Sequence, residues 1–132
     1  MPAQAYTPEL AAVAGSYLLL SAAGLLMPSR AEAVIDDLKA HPAAAHAIGA
    51  VAFFVGAAII ALHPRFSSPL EILVSLTGIW WALEGAATLV APKLLLSRPE
   101  AAIHLRRMNL LALPVGALLL GGAVLAFAKV LP

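Results

Sequence analysis

Four apolar runs alternate along this chain with polar connections of two different kinds. The runs cover about 10–27, 44–62, 72–91 and 108–128, each near the ~20 residues that a helix needs to cross the hydrocarbon core of a bilayer. Periodicity does not separate helix from strand in continuously apolar sequence. Length does, because barrel strands take about 9–11 residues and alternate in polarity. The pattern therefore predicts four spanning helices.

The connections refine that picture. His63-Pro-Arg-Phe-Ser-Ser-Pro69 reads as a tight turn between the second and third spans. The other two connections, 28–42 and 92–107, are longer and amphipathic, and both are expected to lie in the interface plane. In the first, Ser29 and Glu32 have the spacing of a capping box, and Ala31, Val34, Ile35 and Leu38 follow at helical spacing. The second sets Leu94, Leu95, Leu96, Ile103 and Leu105 among charged residues.

The alternation of span, proline, interfacial segment and span suggests an internal repeat. Sliding the chain by 64 sets Pro28 on Pro92, Tyr17 on Trp81 and Leu25 on Leu89; sliding it by 60 sets Val55-Gly56-Ala57 on Val115-Gly116-Ala117. With two spans per unit (about 10–62 and 72–128), the copies share an orientation and are related by an axis along the membrane normal.

Composition agrees with a lipid environment. Hydrophobic residues make up 62% of the chain and charged residues 11%, against about 25% charged in soluble domains, and the mean hydropathy is +0.95. The net charge of +1 provides no field for nucleic acid. With no cysteine, disulfides and thiolate chemistry are excluded. No Lys or Arg precedes the first run, so that run is expected to stay as a membrane helix rather than act as a secretory signal. Six basic residues (Arg30, Lys39, Lys93, Arg98, Arg106, Arg107) fall in the long connections, and two (Arg65, Lys129) on the other side. The positive-inside rule then places the long connections in the cytoplasm and both termini outside.

Small residues four apart are expected to mediate packing, since lipid gives helices no hydrophobic reason to associate. Such sets are Ala11 and Gly15, Ala45 and Gly49, Ala52 and Gly56, Gly78 with Ala82 and Ala86, Ala117 and Gly121, and Gly122 and Ala126. Pro114 is expected to kink the fourth span.

Glu84 is the only formal charge within 72–91. A carboxylate at such depth costs about 2.5–3.5 kcal/mol on insertion scales and usually faces protein or water. At 100° per residue, Thr77, Trp80, Trp81, Glu84 and Thr88 share one stripe, Gly78, Ala82, Gly85 and Ala86 a second, and Leu76, Ile79, Leu83 and Val90 a lipid-facing third. Glu84 is therefore expected to point away from lipid, in a candidate intramembrane site.

Residues 79–107 resemble the YjeT-like family of short bacterial inner-membrane proteins, which has no assigned chemistry. The resemblance rests on Ile79-Trp80, Glu84-Gly85, Pro92-Lys93 and Leu105-Arg106-Arg107. Met108-Asn109 follow the arginine pair where the family carries glycine, and Leu20-Ser21 stand in the first half where Glu84-Gly85 stand in the second. The resemblance implies a two-copy version of a two-span unit in a bacterial inner membrane, with the acid kept once.

Two roles suit Glu84. One is a proton- or cation-responsive carboxylate of a small transporter, with Trp80 and Trp81 offering cation–π contacts. The other is an interhelical or intermolecular contact, with Ser16, Ser21, Ser75 or Asn109 as partners. Lys93, Arg98, Arg106 and Arg107 act as topogenic charge or as a weak site for anionic lipid headgroups. His46 and His104 are the histidines that could approach one another for haem ligation, yet no histidine pair has the i, i+3 or i, i+4 spacing of a helical metal site. No nucleotide loop, nucleophile–base set or paired intramembrane carboxylates occur. The expectation is an all-α integral membrane protein, with residues 1–132 as one membrane domain. Its four transmembrane helices form a compact bundle of two parallel helical-hairpin repeats. It needs no metal or cofactor, catalyses no reaction, and works through association with itself or with a larger membrane partner.

Overall fold

The computed structural model describes residues 6–130, and every regular element among them is an α-helix. In order these are α1 (Thr7–Gly24), α2 (Pro28–Ala40), α3 (Pro42–Leu62), α4 (Pro69–Val90), α5 (Pro92–Leu96) and α6 (Ala101–Val130). Residues 1–5 and 131–132, which the expected topology places outside, lie beyond the described part. Proline opens α2, α3, α4 and α5, where its missing N–H is not needed and its fixed φ suits a first turn. The residue before each of these prolines is held out of the helical region, so one proline both stops and restarts the chain.

Three helices, α3, α4 and α6, are each long and apolar enough to cross a membrane. The first expected span differs. α1 starts at Thr7, takes in Pro8 and Glu9, and carries Ser16, Tyr17 and Ser21. It is a spanning candidate only when taken with α2, which is bent from it by 101°. At that bend the Arg30 guanidinium donates to the Gly24 carbonyl at 3.1 Å, which satisfies one of the carbonyls left open at the end of α1.

The expected capping box at Ser29 is not formed. Met27 takes the N-cap of α2 without a side-chain hydrogen bond, because Pro28 already occupies the first helical position and leaves Ser29 inside. A side-chain cap forms at Ser68 instead. The Ser68 hydroxyl accepts from the Glu71 N–H at 3.2 Å, and the Glu71 carboxylate accepts from the Ser67 N–H at 2.9 Å. Glu71 also lies 3.6 Å from the Arg65 guanidinium. The second expected interfacial segment is likewise shorter than 92–107. Only the single turn α5 precedes the start of α6 at Ala101, and nothing between Ala101 and Pro114 breaks a helix. Arg106 and Arg107 therefore belong to α6, whose 30 residues include Pro114. At 1.5 Å per residue it runs for ~45 Å, beyond the ~30 Å hydrocarbon core.

The helices pack as two tight antiparallel pairs, α3 with α4 and α1 with α6, which meet more lightly through α1–α4 and α4–α6. Glycine permits both close approaches. A Cβ on Gly56 would strike the Gly78 carbonyl and the Ala82 main chain, and one on Gly85 would strike the main chain of Gly49 and Phe53. In the other pair, a Cβ on Gly15 would lie 2.8 Å from the Gly116 carbonyl and 2.7 Å from the Leu120 nitrogen. On α6 the small-residue expectation divides: a Cβ on Gly122 would lie 2.7 Å from the Leu70 side chain, whereas Ala117 and Gly121 face outward and a Cβ on Gly121 would meet nothing within 4 Å. Gly116, Leu119 and Ala123 turn inward instead. Small residues occur on several faces of α6, and the fit to Gly15 selects among them. The packed core of Ala11, Ala14, Ile59, Val74, Leu119 and Ala123 gathers toward the end that carries the α3–α4 turn.

Candidate functional site

The expected stripe on α4 divides into two parts. Thr77 is buried, and its hydroxyl donates to the Leu73 carbonyl one turn back at 2.8 Å. The Thr88 hydroxyl donates in the same way to the Glu84 carbonyl at 2.8 Å. Neither hydroxyl proton is left for the Glu84 carboxylate. Trp81 turns toward α1 and packs edge-on against Tyr17, with ring centroids 5.6 Å apart and planes at 88°. Trp80 stays 48% exposed, and Glu84 is exposed beside it. The polar neighbours of the Glu84 carboxylate are the Trp80 indole on its own helix and His104, near the start of α6. So α4 sends Thr77 and Trp81 into the bundle, and leaves Trp80 and Glu84 along the lightly packed side toward α6. The contacts expected from Ser16, Ser21, Ser75 or Asn109 do not form. The Asn109 amide donates to the Leu105 carbonyl at 2.8 Å, and Ser75 is engaged elsewhere.

Ser75 belongs to a polar cluster that the sequence did not single out. His63, at the C-terminal end of α3, is 1% exposed. Its Nε2 lies 2.7 Å from the Thr7 hydroxyl at the start of α1, and its Nδ1 lies 3.2 Å from the Ser75 hydroxyl on α4. Ser75 in turn lies 2.9 Å from the His63 carbonyl and 2.7 Å from the Arg65 carbonyl. One proton arrangement satisfies the whole set. Ser75 donates to a turn carbonyl and accepts from Nδ1–H, leaving Nε2 to accept from the Thr7 O–H. One imidazole thus ties α1 to both helices of the other pair. Among the described residues, no buried side-chain polar atom lacks a partner. The available signal was Thr7, His63 and Ser75 at the same end of three predicted spans, but no local spacing links them.

The remaining sequence candidates lie toward the opposite end. Lys93, Arg98 and Arg107 are exposed and Arg106 is half-buried. Among the described residues the ion pairs are Arg65 with Glu71 and His41 with Asp37, so none of these four cations is paired. His46 and His104 are exposed on α3 and α6. No family profile, no curated protein and no solved structure matches the chain.

Proposed function

We propose that this chain is a four-span, non-enzymatic protein of a bacterial inner membrane, with both long connections in the cytoplasm. It works by association through the face of α4 that bears Glu84. The supporting observation is that a carboxylate inside a membrane-spanning helix stays exposed on its helix, with the Trp80 indole and His104 as its polar neighbours, while the nearby threonine hydroxyls donate to main-chain carbonyls. Lipid cannot solvate that group, so a second protein surface covers it in the membrane. An acid and a base, Glu84 and His104, sit on one side of the molecule. Under a two-fold axis such a patch is self-complementary, which favours a second copy of the chain.

The repeat belongs to the same reading, and the helix pairing supports it. If α1 corresponds to α4 and α3 to α6, a single two-fold exchange converts the α1–α6 pair into the α4–α3 pair. Tyr17 and Trp81, equivalent under the shift of 64, touch one another, as residues beside such an axis must. Gly56 packs against Ala82 while Gly116 packs against Leu18, and both members of these contacts correspond under the two shifts. This arrangement also suits the resemblance of 79–107 to the YjeT-like family.

The test is the oligomeric state of the full chain in lipid nanodiscs, measured for the wild type, Glu84→Gln and Glu84→Leu. A wild-type dimer that Glu84→Leu converts to a folded monomer is the expected result. A wild-type monomer that moves protons or a lipophilic cation across liposomes, with flux lost in Glu84→Gln, would replace association by transport.

A further inference from the structure

The unpaired charges at the α2 end of the molecule surround a pocket of about 390 Å³, walled on one side by α2 and on the other by the 97–103 segment. Its charged lining has both signs. Glu32, Asp36 and Lys39 come from α2, at i, i+4 and i+7 on one helical face, and Arg98 comes from the opposite wall. None of the four forms an ion pair with another, although all line the same space. Ile35, nearly buried, and Ile103 complete it with aliphatic surface. The volume falls within the ~300–1,000 Å³ of small-ligand sites.

We infer that this pocket binds a phosphoethanolamine group, a phosphate diester joined by two carbons to a primary ammonium. Lys39 and Arg98 supply donors to the phosphate oxygens, where an arginine fork is well matched. Glu32 and Asp36 accept from the ammonium, whose N–H groups can serve two carboxylates together. Ile35 and Ile103 take the adjoining methylenes. In the sequence, Lys93, Arg98, Arg106 and Arg107 read as topogenic charge or as a weak site for an anionic headgroup. The structure separates Arg98 from that set and places two carboxylates in its pocket. Those carboxylates repel an anionic headgroup that has no cation. A trimethylated ammonium keeps the charge but offers no N–H to them, so choline is disfavoured too. The pocket lies along α2 and does not include Glu84.

The test is binding of short-chain phosphatidylethanolamine, phosphatidylcholine and phosphatidylglycerol to the delipidated full chain in detergent, with water-soluble glycerophosphoethanolamine as a fourth ligand. Binding of the ethanolamine lipid about tenfold tighter than the choline lipid is expected, the difference of one charge-assisted hydrogen-bond set. Replacing Glu32→Gln and Asp36→Asn together should erase that preference while leaving the helical circular-dichroism signal intact. Arg98→Ala should weaken the binding of every phosphate ligand. Glycerophosphoethanolamine competing as well as the lipid would assign the site to the free compound, and a requirement for acyl chains would assign it to the bilayer. Equal affinity for ethanolamine and choline lipids, a preference for phosphatidylglycerol, or an unchanged profile in the carboxylate variant would overturn the proposal.

Discussion

Two polar groups of this protein lie within or beside apolar helices, and they are treated in opposite ways. At the end that carries the α3–α4 turn, His63 is sealed in the bundle with both ring nitrogens occupied by hydroxyls from two other helices. Toward the other end, Glu84 stands exposed on α4. The first arrangement is complete within one chain and contributes to its stability. The second has only Trp80 and His104 as polar neighbours in its own chain, and under the proposed function a second copy of the chain completes it. A buried polar group with every partner in place rigidifies what it touches, whereas an ionisable one in a membrane helix is costly unless it faces protein or water.

The largest effect is expected at the glycine contact beside Glu84. Gly85→Val puts two methyl groups into the main chain of Gly49 and Phe53. A loss of about 3 kcal/mol or more is expected, seen as a collapsed unfolding midpoint in mild detergent and no recoverable assembly of any kind.

His63→Leu acts on the sealed site. It leaves the Thr7 hydroxyl without its partner and strips Ser75 of a donor, at a cost of about 2 kcal/mol. Denaturant unfolding should register that loss, and faster amide exchange should appear at the start of α1. Glu84→Leu should do the reverse, with monomer stability kept or raised while assembly is lost. Equal destabilisation by the two substitutions would erase the distinction.

Ser68→Ala removes the cap of α4 just below the His63 cluster. A loss of about 1 kcal/mol is expected, measured by the same unfolding assay. The smallest effect is at Gly121, where a Cβ meets open space. Gly121→Ala should stabilise the chain by at most ~1 kcal/mol, because alanine loses less backbone entropy in a helix. A strong loss there would show that this face of α6 is covered by another molecule.

Much of the fold was legible along the chain because its causes are local. Prolines 28, 42, 69 and 92 mark helix starts wherever they occur, and α3, α4 and the core of α6 follow directly from the apolar runs. The side of α4 that packs on α3 was also readable, since Gly78, Ala82 and Gly85 leave one face without side chains. Errors arose where two local rules competed. Ser29 had the spacing of a cap but stood after a proline, while Ser68, before its proline, took that role. On α6 several small-residue faces were available, and only contact with Gly15 distinguishes Gly116 from Gly121.

The candidate site was legible as a helical stripe and no further. Helical geometry put Thr77, Trp80, Trp81, Glu84 and Thr88 within one sector. A sector that wide straddles the boundary between the bundle and its surroundings, so its members divide. The His63 cluster left no trace in local spacing, because Thr7 and His63 are 56 residues apart. The all-helical class, the apolar segments and the position of a lone carboxylate within one of them could be read along the chain. These follow from backbone hydrogen bonding and from burial in lipid, which act residue by residue. The pairing of α1 with α6 and of α3 with α4, the sealing of His63 while Glu84 stays exposed, and the shared pocket of Arg98, Glu32 and Asp36 emerge from the packed molecule. Those outcomes depend on which glycine meets which main chain, a fit between distant segments that no single segment contains.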